Sequence, residues 1–243
     1  MPTVGHVVIA AAGLGSRLGH GKPKCLVRIN GVSVLAHLMH LVADVPDVRV
    51  VVGFMEADVI EELTRIRPDA IVVRNPDYRN TTTLHSYAIG ARGVTGDCLF
   101  MDADLLIVPH TFNQFIAECR PGEPRLALTS SRSTDAVYVE LANGRASAFR
   151  RDLPTRYEWA NISWLPTRFF EEVGPTAVYE HLRNFLPLNV GEVDAYEIDT
   201  VGDLERAKQM ATQFELEACQ GFRMPTARPA ASSRPERRLK RAA

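Results

Sequence analysis

Residues 8–24, VIAAAGLGSRLGHGKPK, run from an apolar strand straight into a glycine-rich turn that carries Arg17, Lys22 and Lys24. Gly13 and Gly15 present no Cβ, so backbone N–H groups in such a turn approach a polyphosphate closely. The cations supply the positive charge that an anionic transition state calls for. Read with the carboxylates of Asp102, Asp104 and Asp199, the segment points to chemistry on a nucleoside triphosphate with a divalent metal, Mg²⁺.

Two better-known phosphate turns do not fit. The dinucleotide fingerprint is GxGxxG, whereas Gly13, Gly15 and Gly19 are spaced one residue too wide, and no acidic residue closes an obvious second strand about 20 residues on. A Walker A loop needs GxxxxGK[ST]. Here Ser16 stands where its first glycine belongs, and Pro23 follows Lys22. A purely structural turn has no use for an arginine and two lysines so close together.

The body reads as alternating strands and helices. VGHVVIA, VRVVVG, AIVVRN and DCLFMD are continuous apolar runs, as expected of strands covered on both faces. Amphipathic segments at 33–44, 56–66 and 82–92 lie between them, and another follows at 110–119. This rhythm predicts an α/β fold with a doubly wound, mostly parallel, Rossmann-like sheet. After about residue 124 it changes to RLALTSS, AVYVEL and RASAFR, an antiparallel extension with Asn143-Gly144 as a hairpin turn. NISWLP is a further strand, followed by helices near 167–173, 175–185 and 200–217. We expect one domain over 1–219, with nucleotide chemistry in about 1–123 and acceptor recognition in 124–219.

The motif AAGxGSRLG…PK resembles the signature of nucleotidyltransferases that activate sugar phosphates and small phosphorylated alcohols. NPDYRNTTTLHS (75–86), FMDAD (100–104) and YEIDTVGDLERA (196–207) resemble segments of the bacterial choline-phosphate cytidylyltransferases and their relatives acting on phosphonates or inositol phosphate. The likeness spans about residues 4–215. It implies a nucleotide-diphospho-sugar transferase-like fold and transfer of CMP from CTP to a small phosphoryl or phosphonyl acceptor, with pyrophosphate released. It also implies that one metal carboxylate comes from the strand-end D-x-D, Asp104, and the other from a late strand, Asp199. Asp102 is the alternative ligand, or orients ribose or metal-bound water. An aspartate before Thr200 is equally suited to capping the last helix.

On this reading the backbone of 13–17, including Ser16, holds the β- and γ-phosphates with Arg17, and Lys24 sits at the α-phosphate. Lys22 is as readily a solvated loop lysine. Base selection falls to the Ala11 and Ala12 backbone and to Asn80, Thr82 and Ser86, where relatives commonly carry two adjacent asparagines. Ser and Thr at a helix start are also ordinary caps. For the acceptor, Arg150 and Arg151 occupy the place where sugar-phosphate relatives often carry a lysine, with an exposed hairpin pair as the alternative. Tyr157, Trp159 and Tyr196, with Trp164 and Tyr179, are candidates for an aromatic cage around a quaternary ammonium, although Trp164 and Tyr179 read more readily as core. Glu158 and Asp194 suit a primary amine instead. A sugar-1-phosphate nucleotidyltransferase using UTP, dTTP or GTP is the rival within the class, and a non-catalytic nucleotide-binding module the rival outside it.

Seven histidines show no metal-ligating spacing, and Cys25, Cys98, Cys119 and Cys219 lack CxxC pairing, so we expect reduced, mostly core thiols. Cys25, beside Lys24, is the one with a case for reactivity. Residues 220–243 carry seven Arg/Lys and one Glu, which leaves the body at net −7. The tail reads as a disordered basic extension, and the acidic body argues against nucleic acid as a partner. No apolar run is long enough to span a membrane, and no signal peptide precedes the first strand. A cytoplasmic enzyme is expected. A homo-oligomer is compatible with this class.

Overall fold

The computed structural model describes residues 4–15 and 21–224. Arg17, Ser16 and residues 225–243 lie outside the described residues. The first five residues of the segment expected as a tail from 220 instead pack on the body, Phe222 against His40 and the Met224 N–H donating to the Ile66 carbonyl at 2.8 Å. The strands, in chain order, are β1 (His6–Ala11), β2 (Arg28–Ile29), β3 (Val32–Ser33), β4 (Asp47–Val52), β5 (Ile71–Arg74), β6 (Asp97–Asp102) and β7 (Leu105–Ile107). They continue with β8 (Arg125–Ser130), β9 (Tyr138–Ala142), β10 (Arg145–Arg150), β11 (Tyr157–Pro166), β12 (Asn189–Glu192) and β13 (Ala195–Glu197). The helices are α1 (Val34–Leu41), α2 (Glu56–Ile66), α3 (Thr83–Gly90), α4 (Pro109–Glu118), α5 (Val178–Leu182), α6 (Val201–Gln209) and α7 (Leu216–Cys219).

A nine-stranded sheet runs β10-β9-β11-β6-β1-β4-β5, with β8 on β11 and β12 on β8. Strands β6, β1, β4 and β5 are parallel, and β11 turns the sheet antiparallel at β6. The mostly parallel α/β sheet with an antiparallel extension is therefore present as expected. Two apolar layers cover the sheet. One packs α1, α2, α4 and the final helices against the side chains of Val7, Ile9, Val50 and Leu99; the other packs α3 and the 165–188 region against Val8, Val51 and Phe100. Successive residues of β1 thus face opposite cores, which is why the run reads as uniformly apolar.

Local chemistry sets the boundaries. Ser33 caps α1, its hydroxyl accepting from the Ala36 N–H at 3.1 Å. Helix α2 buries Val59, Glu62, Leu63 and Ile66 on one face, with Glu56 and Asp58 in its first turn and Arg65 in its last, favourable ends for the helix dipole. Gly90 lets α3 lie directly on the sheet, because a Cβ there would meet Val8 Cγ1 at 2.5 Å and Val51 Cγ2 at 2.9 Å. Asn143 and Gly144 take φ of 51° and 72°, the geometry a two-residue hairpin demands.

Differences from the sequence reading fall in the second half. The strand expected at 161–166 begins at Tyr157 and carries a register shift between Trp159 and Ser163, with Asn161 at φ 55°. The long final helix breaks after Gln209, into a 3₁₀ turn at Ala211–Phe214 and then α7, with Glu215 left-handed between them. Short 3₁₀ turns take over parts of the segments expected as helix near 167–173 and 175–185.

Candidate active site

Strand β1 lies beside β6 with Ala10 opposite Asp102, and the Ala103 N–H donates to the Ala10 carbonyl at 3.1 Å. The glycine turn after β1 and the D-x-D after β6 therefore leave the sheet side by side, at the carboxyl edge where open α/β sheets bind ligands. Asp199 arrives by a different route. Strand β13 pairs antiparallel with β7, Glu197 opposite Leu105, and the Ile198 N–H donates to the Asp104 carbonyl at 2.8 Å. That short ladder sets Asp199 against Asp104.

Asp199 is not spent on capping. Thr200 is the N-cap of α6 in a reciprocal box with Asp203, whose carboxylate accepts from the backbone N–H of both Thr200 and Asp199. Burial tends to raise the Asp203 carboxyl, but hydrogen bonds from Thr200 and Arg206 hold it below its ordinary value. Asp203 thereby fixes the backbone that presents Asp199.

Lys24 enters on a single 3₁₀ turn after Pro23, anchored by buried Cys25. Its Nζ donates to Asp104 Oδ2 at 2.8 Å and to Asp199 Oδ1, and lies 3.8 Å from Glu197 Oε1. Burial pulls this ammonium's pKa down, but Asp104 and the bond to Asp199 more than reverse the effect, so it is raised and the lysine stays charged. Its stem runs along the glycine turn: a Cβ on Gly15 would stand 3.1 Å from Lys24 Cγ, and Gly15 has φ +59°.

Negative charge exceeds this lysine's. Asp102 is pushed up to about 7 by burial and by Asp104, against the opposing hydrogen bond from Tyr87 and the charge of Lys24. Glu197 is pushed up to about 8 by desolvation and by Asp104, although 43 % of its side chain is exposed at the rim and water screens part of that effect. Asp104 Oδ1 is buried and has no hydrogen-bond partner among the described residues. Two carboxylates held side by side fit Mg²⁺, which commonly takes one or two carboxylates and fills its remaining positions with water and substrate phosphates. Among the described residues no cluster of three or more His, Cys, Asp or Glu is placed to cage a metal by itself.

Lys24, Asp102, Asp104 and Glu197 line a cleft of about 490 Å³ that also includes the Ala11, Ala12, Gly13 and Gly15 backbone, Thr82 and Ser86, while Asp199 reaches it through its bond from Lys24. Asn75, Tyr78 and Thr81 line it too, and composition and motif spacing did not single them out. Buried Asn75 donates from its amide to Thr81 Oγ1 at 2.9 Å and to Ser86 Oγ at 3.4 Å, and its carbonyl accepts from the Asp77 N–H. Thr82 begins α3 without a side-chain cap; its hydroxyl donates instead to the Thr176 carbonyl. Asn80 bonds Asp77 outside the cleft lining, and Lys22 is exposed, also outside it.

The acceptor candidates do not converge. Arg150 pairs with Glu140 and Asp152, Arg151 with Asp135, and neither lines the cleft. This is the exposed hairpin arrangement, and a phosphate-gripping role has no support in it. Trp159 is buried, its indole N–H donating to the Ile162 carbonyl and to Ser163 Oγ, so it belongs to the core. Tyr157 donates to Glu192, and Tyr196 lies under the Arg132 guanidinium and against Phe214. No two of Tyr157, Trp159, Trp164, Tyr179 and Tyr196 meet ring to ring among the described residues, which corrects the expectation of an aromatic cage. Glu158 accepts from the Arg132 and Ser133 N–H groups, and Asp194 pairs with Arg132.

All four cysteines are buried free thiols. Burial and the neighbouring Asp104 push Cys25 up to about 12, so it stays protonated and the case for its reactivity falls. No helix among the described residues is long and apolar enough to cross a membrane. A second cavity, of about 750 Å³, lies between α3 and the 167–174 segment and shares no lining residue with the first.

Three solved structures share the fold. Inositol-1-phosphate CTP transferase from T. maritima superposes with a TM-score of 0.76 at 17% identity, covering 88% of this chain and 97% of that one. CTP:phosphocholine cytidylyltransferase from Streptococcus pneumoniae gives 0.70 at 17% identity, over 85% and 98%. A provisionally assigned glucose-1-phosphate thymidylyltransferase from Bacillus anthracis gives 0.72 at 14% identity, over 86% and 98%. Among curated relatives, the bifunctional protein GlmU of Azorhizobium caulinodans is 44% identical over 68 residues, which is 27% of this chain and spans only 15% of that protein's length. The model of the MobA-like NTP transferase domain matches residues 7–181, well over half of the sequence, and the chain belongs to that family of nucleotidyltransferases.

Proposed function

We propose that the protein is a Mg²⁺-dependent cytidylyltransferase that moves CMP from CTP to a small phosphorylated or phosphonylated alcohol. The observation that carries this reading is the meeting of Lys24, Asp104 and Asp199 beside the glycine turn. An acceptor phosphate oxygen is already anionic at neutral pH, so it attacks the α-phosphorus without a general base. The new oxygen–phosphorus bond forms in line as the α–β bridging bond breaks, and pyrophosphate leaves with that electron pair. The chain's task is to bring two polyanions together and to stabilise the charge that develops between them.

The backbone of Gly13 to Gly15 cradles the β- and γ-phosphates. Arg17 and Ser16 are assigned to the same phosphates from the sequence motif alone. Lys24 places its charge at the α-phosphate. Asp104 and Asp199 hold the metal, which when bound neutralises charge on the phosphate oxygens. The base lies against the Ala11–Ala12 backbone and the Asn75–Ser86 segment, with Asn75 bracing Thr81 and Ser86.

CTP is favoured because two of the three structural relatives described above use it by name. A sugar-1-phosphate nucleotidyltransferase is the second reading, favoured by the thymidylyltransferase-like neighbour. Pyrophosphate release is measured with CTP, UTP, GTP, ATP and dTTP, each against phosphocholine, 2-aminoethylphosphonate, inositol phosphate and a sugar 1-phosphate. Turnover with CTP and a non-sugar acceptor is expected. Preference for UTP, dTTP or GTP with a sugar phosphate moves the protein to the second reading, and nucleotide binding without pyrophosphate from any pair reduces it to a binding module.

A further inference from the structure

We infer that Lys24 is the resident counter-ion of the Asp104–Asp199 pair and competes with the divalent metal for it, so that metal enters only as nucleotide draws the lysine away. The inference rests on the metal assignment above and concerns how that site is filled. Lys24 Nζ donates to one oxygen of each carboxylate, Asp104 Oδ2 and Asp199 Oδ1, with Glu197 3.8 Å off. Mg²⁺ takes oxygen ligands at about 2.0–2.1 Å and tolerates little distortion. The same two oxygens do not serve an ammonium and a metal together, and the two cations repel at that separation.

The exchange has somewhere to go. The Lys24 stem lies along Gly15, close enough that a Cβ there would stand 3.1 Å from Cγ, so the ammonium is tethered beside the turn that receives phosphates. Triphosphate in that turn offers the ammonium new anionic partners while bringing metal with it. Buried Asp104 Oδ1, without a partner among the described residues, remains as a further oxygen for the arriving ion. Lysine thus holds the carboxylates together in the nucleotide-free protein and keeps the metal pair closed to a free divalent ion.

Mn²⁺ is the probe, titrated into the nucleotide-free full chain and followed by the electron paramagnetic resonance of free Mn²⁺. The Lys24→Gln variant is expected to bind Mn²⁺ about tenfold or more tightly than the unaltered protein, since a repelling charge is removed from the site. Adding Asp104→Asn to that variant is expected to abolish the gain. Circular dichroism verifies folding, and Lys24→Met, which keeps the stem against Gly15, replaces the glutamine variant if that one does not fold. Equal affinity in the variant and the unaltered protein overturns the inference, as does a gain that survives Asp104→Asn or an absence of Mn²⁺ binding in every variant. Pyrophosphate assays fail or succeed separately: turnover with an unchanged Mn²⁺ affinity sinks this inference alone, and the expected Mn²⁺ pattern without turnover sinks the proposed reaction.

Discussion

The Tyr87 hydroxyl donates a 2.6 Å hydrogen bond to Asp102 Oδ1 from a helix packed on the far side of the sheet from α1. Tyr87 is fully buried among Phe100 and Phe170, one residue after Ser86 of the cleft. Helix α3 thus joins the nucleotide side of the site to its acidic floor. Burial, Asp102 and Asp104 push the Tyr87 phenol well above its usual range, so it is a donor throughout the working pH range. Tyr87→Phe keeps the ring and removes the donor. We expect turnover to fall about 10-fold with little change in nucleotide KM, as for loss of a group that orients a liganding shell. Unchanged turnover shows that Asp102 needs no such hold.

Lys24→Ala removes the charge assigned to the α-phosphate. Turnover is expected to fall by about 10²- to 10³-fold, with circular dichroism unchanged because the ammonium opens onto the cleft. Pyrophosphate release near that of the unaltered protein refutes the assignment.

Gly90 is where α3 touches β1 and β4. Gly90→Ala puts a methyl into Val8 and Val51 and is expected to cost about 1–3 kcal/mol, the usual penalty for overpacking. Urea denaturation reads it directly. A neutral result means that the helix lifts off the sheet easily, and then the Tyr87 bond should be weakened in the same variant.

His37 is fully buried, with Nε2 accepting from the Ile107 N–H at 3.1 Å, and burial lowers its pKa to about 4. The unfolded chain takes up this proton near pH 6.5 while the folded chain refuses it, so the unfolded state binds more protons between these values. Stability is therefore expected to fall as the pH drops from 6.5 to 4, by on the order of 3 kcal/mol from this residue. His37→Gln keeps an acceptor for Ile107 without titrating. Equal pH slopes for the two proteins would falsify the assignment.

The first half of the chain was legible because its signals are local. Continuous apolar runs marked β1, β4 and β6, and the strand-end positions of the glycine turn and Asp104 followed from topology alone. Glu197 was legible in principle: it stands two residues before Asp199, the spacing that puts two side chains on one face wherever the chain is extended. Asn75 and Thr81 in the cleft lining, and buried Tyr87 behind Asp102, were harder to see, because what ties them to the site is which neighbour each hydrogen-bonds. Arg150 and Arg151 misled for a related reason. An arginine pair advertises anion binding in sequence, but Glu140, Asp152 and Asp135 answer it across strands and loops that the sequence does not align. The aromatics are divided between the two layers, Tyr157, Trp159 and Tyr179 on one and Trp164 and Tyr196 on the other, and Phe149 stands between Trp159 and Tyr179.

The two-stranded β7–β13 ladder stitches a residue near position 200 to one near 100. During synthesis, a chain that has emerged only through its nucleotide half carries the glycine turn and Asp104 but lacks the second aspartate. On the proposed reading the carboxylate pair is completed only once the β7–β13 ladder has closed, so an emerging chain would lack the second aspartate assigned to the metal.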